Sequence, residues 1–274
     1  MKDLKYLFAY TVPISVYISF MSTGIWTYST VFYVFILLPI LDFLLGESQE
    51  NFSKEDASHQ NKKWIFDIML YFNIPIIFGL LYIVFSSFQL NDYNVFETIG
   101  LAFSTGLLLS INGINVAHEL GHRKPYYERF LSKLLYMPCL YMHFYIEHNF
   151  GHHLHVATPE DGATAKYNQS VYSFWFTSVT KQYFDAWKNQ KILLKTKNSS
   201  FISIKNDMIW YHLIQPLYLF VIYYLFSFEV MIFALAVGII SFLFLECINY
   251  IEHYGLQRLK LASGRYERVQ PHHS

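Results

Sequence analysis

Six apolar runs, each about twenty residues long, leave this chain few folds to choose from. They lie near 5–23, 26–46, 65–87, 95–117, 207–226 and 230–251. A helix of about twenty residues, rising about 1.5 Å per residue, crosses roughly 30 Å of hydrocarbon. The composition agrees with six such crossings. With 54% hydrophobic and 15% charged residues in 274, including 26 Phe and 23 Tyr, the chain carries more apolar surface than a soluble domain of this size hides. The expected fold is an all-α integral membrane protein of six transmembrane helices, a single membrane domain over 1–274.

Charge gives the orientation. Threaded from a cytoplasmic N-terminus, the six spans put all 20 Lys and Arg residues on the cytoplasmic side: the N-terminus, 47–64, 118–206 and the tail. The outer loops near 24, 88–94 and 227–229 hold none, as the positive-inside rule requires. Lys2 and Lys5 precede the first run, and a second follows directly after Ser22-Thr23-Gly24, which describes a retained helix rather than a cleaved leader. The 20 basic and 20 acidic residues cancel, so nothing in the charge balance draws the chain to nucleic acid. Cys139 and Cys247 lie far apart in apolar surroundings and form no C-x-x-C, which speaks against a disulfide framework, a zinc knuckle or an iron–sulfur centre. Electrons for any redox chemistry must then come from another protein.

One large cytoplasmic segment, 118–206, separates the fourth and fifth spans. Within it, 131–146 is apolar but short for a crossing and is expected to be an interfacial or re-entrant helix. Thr158-Pro159-Glu160-Asp161 has the residues of a helix start. The mixture of aromatics and lysines over 171–191 suits a helix at the headgroup level. The 47–63 loop reads as a solvated connector.

Six of the 12 histidines fall in three motifs: His118 and His122 in HELGH, His148, His152 and His153 in EHNFGHH, and His253 in NYIEHYGL. The fourth span runs inward to His118 and the sixth runs inward to His253, so both reach the same membrane face at the same depth. On α-helical spacing His118 and His122 share a face, as do His148 and His152, while His153 is turned about 100° away and can address a second ion. Six imidazoles exceed what one tetrahedral zinc uses, and imidazole suits zinc, copper, iron and nickel alike. The number of ligands favours two metals. Ionisable side chains at helix ends facing a bundle are functional by default. His59, His143 and His212 stand alone and read as interfacial side chains, and His155 as a partner behind the ligands.

HELGH alone also fits a membrane zinc metalloprotease with Glu119 as general base, but that leaves EHNFGHH and His253 without a purpose. The soluble carboxylate-bridged di-iron pattern needs two Glu-x-x-His pairs, and Glu119-x-x-His122 supplies one.

Taken together, HELGH, EHNFGHHLHVATPEDGATA, NYIEHYGL and GRYERVQP closely resemble the integral-membrane alkane 1-monooxygenases, which are themselves similar to fatty acid desaturases. The resemblance implies that His118, His122, His148, His152, His153 and His253 bind two iron ions in a non-haem di-iron centre. It implies O2-dependent terminal hydroxylation of n-alkanes to primary alcohols, with electrons from rubredoxin and rubredoxin reductase. It also implies a multi-pass protein of the bacterial inner membrane, embedded in membrane lipid, with both termini cytoplasmic. A membrane fatty acid desaturase or lipid hydroxylase would share metals and topology. The family carries a further H-S-D-H-H box beyond GRYERVQP, whereas this sequence ends at His272-His273-Ser274. The resemblance therefore implies a C-terminally truncated member, with a non-catalytic membrane protein as the corresponding alternative.

Overall fold

The computed structural model describes residues 2–46 and 64–273; the 47–63 connector and His59 lie outside the described residues. What is described is helical and contains no strand, only an isolated bridge between Lys260 and Tyr266. Tyr6–Phe20 (α1) and Gly24–Leu45 (α2) are followed by Trp64–Leu90 (α3) and Val95–His122 (α4). Tyr126–Tyr136 (α5) leads to a composite helix over 144–155 (α6). Val171–Thr196 (α7), Asp207–Leu225 (α8) and Phe228–Glu252 (α9) complete the bundle.

Among the described residues, α2, α3, α4, α8 and α9 are long and apolar enough to cross a membrane, and the chain is an integral membrane protein. The first expected span is shorter than a full crossing. It opens with the 3-10 turns Lys2–Tyr10, whose rise of about 2.0 Å per residue lengthens it beyond what its residue count suggests.

α4 is the axis of the bundle. Of its apolar stretch, 78% is buried in protein, against 6% for α2. A capping box starts it: the Asn94 side chain accepts from the Glu97 N–H, and the Glu97 carboxylate accepts from the Asn94 N–H at 3.1 Å. Glu97 also accepts from the Gly24 N–H at 2.7 Å, which fastens α4 to the start of α2. A Cβ at Gly106 would stand 2.4 Å from the Ile240 side chain, so only glycine lets α4 and α9 approach this closely.

The apolar 131–146 stretch is not one interfacial helix. α5 stops at Tyr136, turns follow with Pro138 inside them and Leu140 at φ 54°, and helix resumes at Phe144. Leu135, Tyr136, Cys139, Tyr141 and Ile146 are all buried, so the irregular backbone is sheltered by protein. The run is apolar because it packs into the bundle.

Thr158-Pro159-Glu160-Asp161 starts no helix either. The Thr158 hydroxyl bonds back to the His155 carbonyl at 2.6 Å, and Asp161 is held by side chains of its own loop. The next helix, α7, starts at Val171 under Ser170, whose hydroxyl accepts from the Ser173 N–H. Phe174, Ser178, Gln182, Ala186, Gln190 and Leu194 are buried at intervals of four, one face of a helix laid against α6 and α9. Glu246, buried in the middle of α9, accepts from Ser178 Oγ at 2.6 Å, Gln182 Nε2 at 3.0 Å and Tyr141 Oη at 3.0 Å. This joins α9, α7 and the 137–143 turns at one point.

Candidate metal centre

His118 and His122 stand on the last turn of α4, which ends as Arg123 takes an extended backbone. The Arg123 guanidinium bonds Asp67 of α3 at 2.5 Å, Glu128 of α5 at 3.0 Å and Glu119 at 3.3 Å. The Ser132 hydroxyl donates to the Ala117 carbonyl at 2.6 Å. Three helices are thereby fixed around the HELGH turn.

α6 supplies the opposing histidines, and His148–His152 is a π turn. Such a turn, closed by i→i+5 bonds, advances roughly 80° per residue rather than about 100°, so five residues bring His153 back beside His148. The expected pairing is corrected accordingly. His153, not His152, joins His148 in facing α4, and His152 turns towards His253. Gly151 makes room for the Asn189 side chain of α7, since a Cβ there would lie 2.5 Å from Asn189 Nδ2 and 3.1 Å from Glu147 Oε1.

The ligand atoms of His118, His122, His148 and His153 all lie within 4.8 Å of one another. The Nε2 atom of His118 is 2.6 Å from that of His148 and 2.9 Å from that of His122, which is 3.3 Å from that of His153. A neutral imidazole has one donor and one acceptor nitrogen, so nitrogens converging in this way cannot all satisfy one another. A cation satisfies them together, and nitrogens about 2.1 Å from a shared ion lie about 3.0–3.4 Å apart. Burial, followed by the neighbouring His118, His152 and His153, pushes the His148 pKa well down. Burial, followed by His122 and His152, lowers that of His153. Both effects favour the neutral imidazole that ligates metal. The donor set fits a metal ion.

A second group lies beside the first. The His152 and His253 rings are 4.9 Å apart between centroids, and both are buried. His152 Nδ1 donates to Asp161, 3.1 Å from each carboxylate oxygen, which directs its Nε2 outward as a carboxylate behind a metal-binding histidine does. Burial pushes the Asp161 pKa up, but hydrogen bonds from His152, Thr164 and the Ala163 amide outweigh it and hold the carboxyl below its ordinary value. His253 Nδ1 is buried without a hydrogen-bond partner, and burial lowers the pKa of this ring to about 4. The Gly255 N–H donates to the Ala165 carbonyl at 2.8 Å, and the Arg258 N–H to the Ala157 carbonyl at 2.7 Å. These two bonds bring the motif after α9 against the loop that carries Asp161.

A cavity of about 1340 Å³ between α1, α3 and α4 reaches this centre, with His122 on its wall. Phe8, Val12, Phe66 and Leu70 line its apolar part, and Asp67, Glu119, Arg123 and Glu128 its polar part.

Residues 94–274 match the family model described as fatty acid desaturase. The chain is 34% identical over 255 residues to alkane 1-monooxygenase 2 of Pseudomonas aeruginosa, covering 91% of this chain and 67% of that protein. It is 33% identical over 266 residues to alkane 1-monooxygenase 2 of Alcanivorax borkumensis, covering 96% and 70%. The chain belongs to the fatty acid desaturase family, among its alkane 1-monooxygenase relatives. The xylene/toluene monooxygenase hydroxylase component of Pseudomonas putida is a more distant relative, 26% identical over 267 residues, covering 94% of this chain and 69% of that protein. The chain spans about two thirds of the length of the alkane 1-monooxygenases it matches.

Within this desaturase-family bundle, Glu119 is ion-paired with Arg123 at 3.3 Å, and the convergent group is made of histidines from two motifs, HELGH and EHNFGHH. The carboxylate behind the histidine cluster is Asp161, bonded to His152. His155 is exposed, and its carbonyl serves the Thr158 turn. The residues 158–161 that suggest a helix cap are the signal for Asp161, since Asp and Thr organise a turn through the same hydrogen bonds. His143 is not interfacial: it is buried between Tyr141 and Tyr183, and burial pushes its pKa down to about 3. His212 is exposed and bonds Tyr183 at 2.8 Å and the Met208 carbonyl at 2.7 Å. His273 is buried, with Nδ1 accepting from the Gln270 N–H at 3.0 Å and Nε2 3.4 Å from Glu267.

Proposed function

We propose that this protein is an alkane 1-monooxygenase that converts a terminal methyl group to a primary alcohol with O2, two electrons and two protons, releasing water. In this reading His118, His122, His148 and His153 hold one iron ion, and His152 and His253 contribute to a second. Bound iron supplies the activation of dioxygen that no side chain offers. The convergence of four Nε2 atoms beside a cavity with an apolar part carries the reading, and the names of the relatives agree with it.

The chain's own residues bind and orient. An alkane has no polar handle, so its end is selected by the shape of an apolar passage. Phe8, Phe66 and Leu70 offer such a wall, with His122 where the chain terminus would arrive. Asp161 keeps a hydrogen on Nδ1 of His152 and leaves Nε2 free to ligate. The proposed electron donor is rubredoxin, reduced by its reductase. The proposed setting is the bacterial inner membrane, with both termini and the histidines on the cytoplasmic side, consistent with the distribution of basic residues.

The test is conversion of octane to 1-octanol by the purified, iron-loaded protein with rubredoxin, rubredoxin reductase and NADH. 1-Octanol that depends on O2 and on iron is expected. Desaturated or hydroxylated acyl lipid, with no alcohol from octane, would assign the site to a desaturase or lipid hydroxylase instead.

A further inference from the structure

A second cavity, of about 840 Å³, lies among α5, α6, α7 and α8, where α6 contributes Tyr145, Ile146 and Phe150 and none of its histidines. Arg129, Lys133, Lys197 and Lys205 line it, against one acid, Asp207. Asp207 is taken by Lys133 at 2.7 Å. Among the described residues no carboxylate forms an ion pair with Arg129, Lys197 or Lys205. The Lys133 ammonium sits 4.9 Å from the Tyr145 ring centroid and 5.9 Å from that of Tyr211. Tyr211 is 2% exposed, and its hydroxyl, on a residue lining the cavity, has no hydrogen-bond partner.

The rest of the lining is apolar, including Leu134, Met137, Ile146 and Leu193. The cavity is therefore cationic in one part and oily in another. Its depth is set by α8, a membrane-crossing helix that begins at Asp207, with Trp210 43% exposed one turn further on. Ile202 and Ile204, just before that helix, are 85% and 83% exposed and give this end of it an apolar surface. A Trp beside the start of a crossing helix marks the headgroup level, and basic pockets between helices at that level take anionic lipid headgroups.

We propose that this cavity binds an acidic phospholipid, with its phosphate among Arg129, Lys197 and Lys205, the Tyr211 hydroxyl donating to it, and its acyl chains along the apolar wall. A free phosphate would meet the same cations but leave the apolar wall uncovered, and a zwitterionic lipid would bring its own ammonium into a cluster with surplus positive charge.

The experiment uses the full chain, delipidated in detergent, and measures binding of short-chain phosphatidylglycerol, short-chain phosphatidylcholine and inorganic phosphate by native mass spectrometry and thermal shift. The comparison protein is K197Q/K205Q, whose changes fall on exposed side chains. R129Q added to that pair, checked for an unchanged melting temperature without lipid, extends the series. The wild type should bind phosphatidylglycerol at least tenfold more tightly than phosphatidylcholine. Each removed cation should weaken phosphatidylglycerol by about fivefold, and inorganic phosphate should compete poorly. Unchanged phosphatidylglycerol binding in both variants would overturn the proposal. So would inorganic phosphate displacing the lipid at equal concentration, which would make this a simple anion site. Variants that keep lipid binding but show a raised KM for an acidic electron-donor protein would assign the patch to protein docking and overturn it as well.

Discussion

Asp161 accepts the Nδ1 hydrogen of His152 and is itself held by the Thr164 hydroxyl and the Ala163 N–H. D161N keeps the shape of the side chain but removes its charge, and weakens the orientation of the ring. The expected result is about 10–100-fold weaker metal binding, read from iron retained against a chelator. Undiminished retention would mean that the bond is structural only. His143 gives a pH prediction free of any metal. Its pKa falls from an unfolded value of 6.5 to about 3 on burial, so the unfolded chain binds the extra proton as pH drops. The stability linked to this group is fully present above about pH 6.5 and is lost as pH falls towards 3, at up to about 1.4 kcal/mol per pH unit. H143L should flatten that part of the melting-temperature profile in detergent; an unaltered slope would assign the acid sensitivity to other groups. The six motif histidines stand out in the sequence because polar residues at the ends of apolar runs have few other reasons to be there. Asp161 does not, since an Asp in a Thr-Pro-Glu-Asp string serves a helix cap and a turn equally well.

α6 shows where periodicity misleads. An α-helical wheel separates His153 from His148, and only the π turn His148–His152 brings them together. Sequence spacing does not report how many residues a given turn contains, so the histidines were legible as a group but not by their pairing. α5 and the turns after it fail differently, because an apolar run has the same composition whether it lies on a membrane surface or packs into a bundle. Glu246 is the corresponding polar case: in the sequence it looks like a costly charge in the last crossing helix, and in the structure it is bonded by Ser178, Gln182 and Tyr141. E246L should lower stability by at least about 2 kcal/mol, since three buried groups lose their acceptor together, while E246Q should cost less. Equal melting temperatures for E246L and the wild type would show that α7 is held to α9 by packing alone.

Across the whole molecule, five apolar runs became helices of crossing length and the first a shorter one, because the length of an apolar run is the constraint hydrocarbon imposes most directly. Three motifs spread from residue 118 to 253 are linked through α6, whose His148 and His153 face His118 and His122 at the end of α4 while its His152 faces His253 after α9. The measurement that bears most directly on this convergence is iron per chain, by elemental analysis of purified protein after iron loading, in wild type, H118A and H212A. His118 faces two other Nε2 atoms, whereas His212 bonds only Tyr183 and a backbone carbonyl. H118A should lose at least tenfold in iron affinity, and H212A should match the wild type. Full iron retained by H118A, or an equal loss in both variants, would contradict a metal centre built on the convergent histidines.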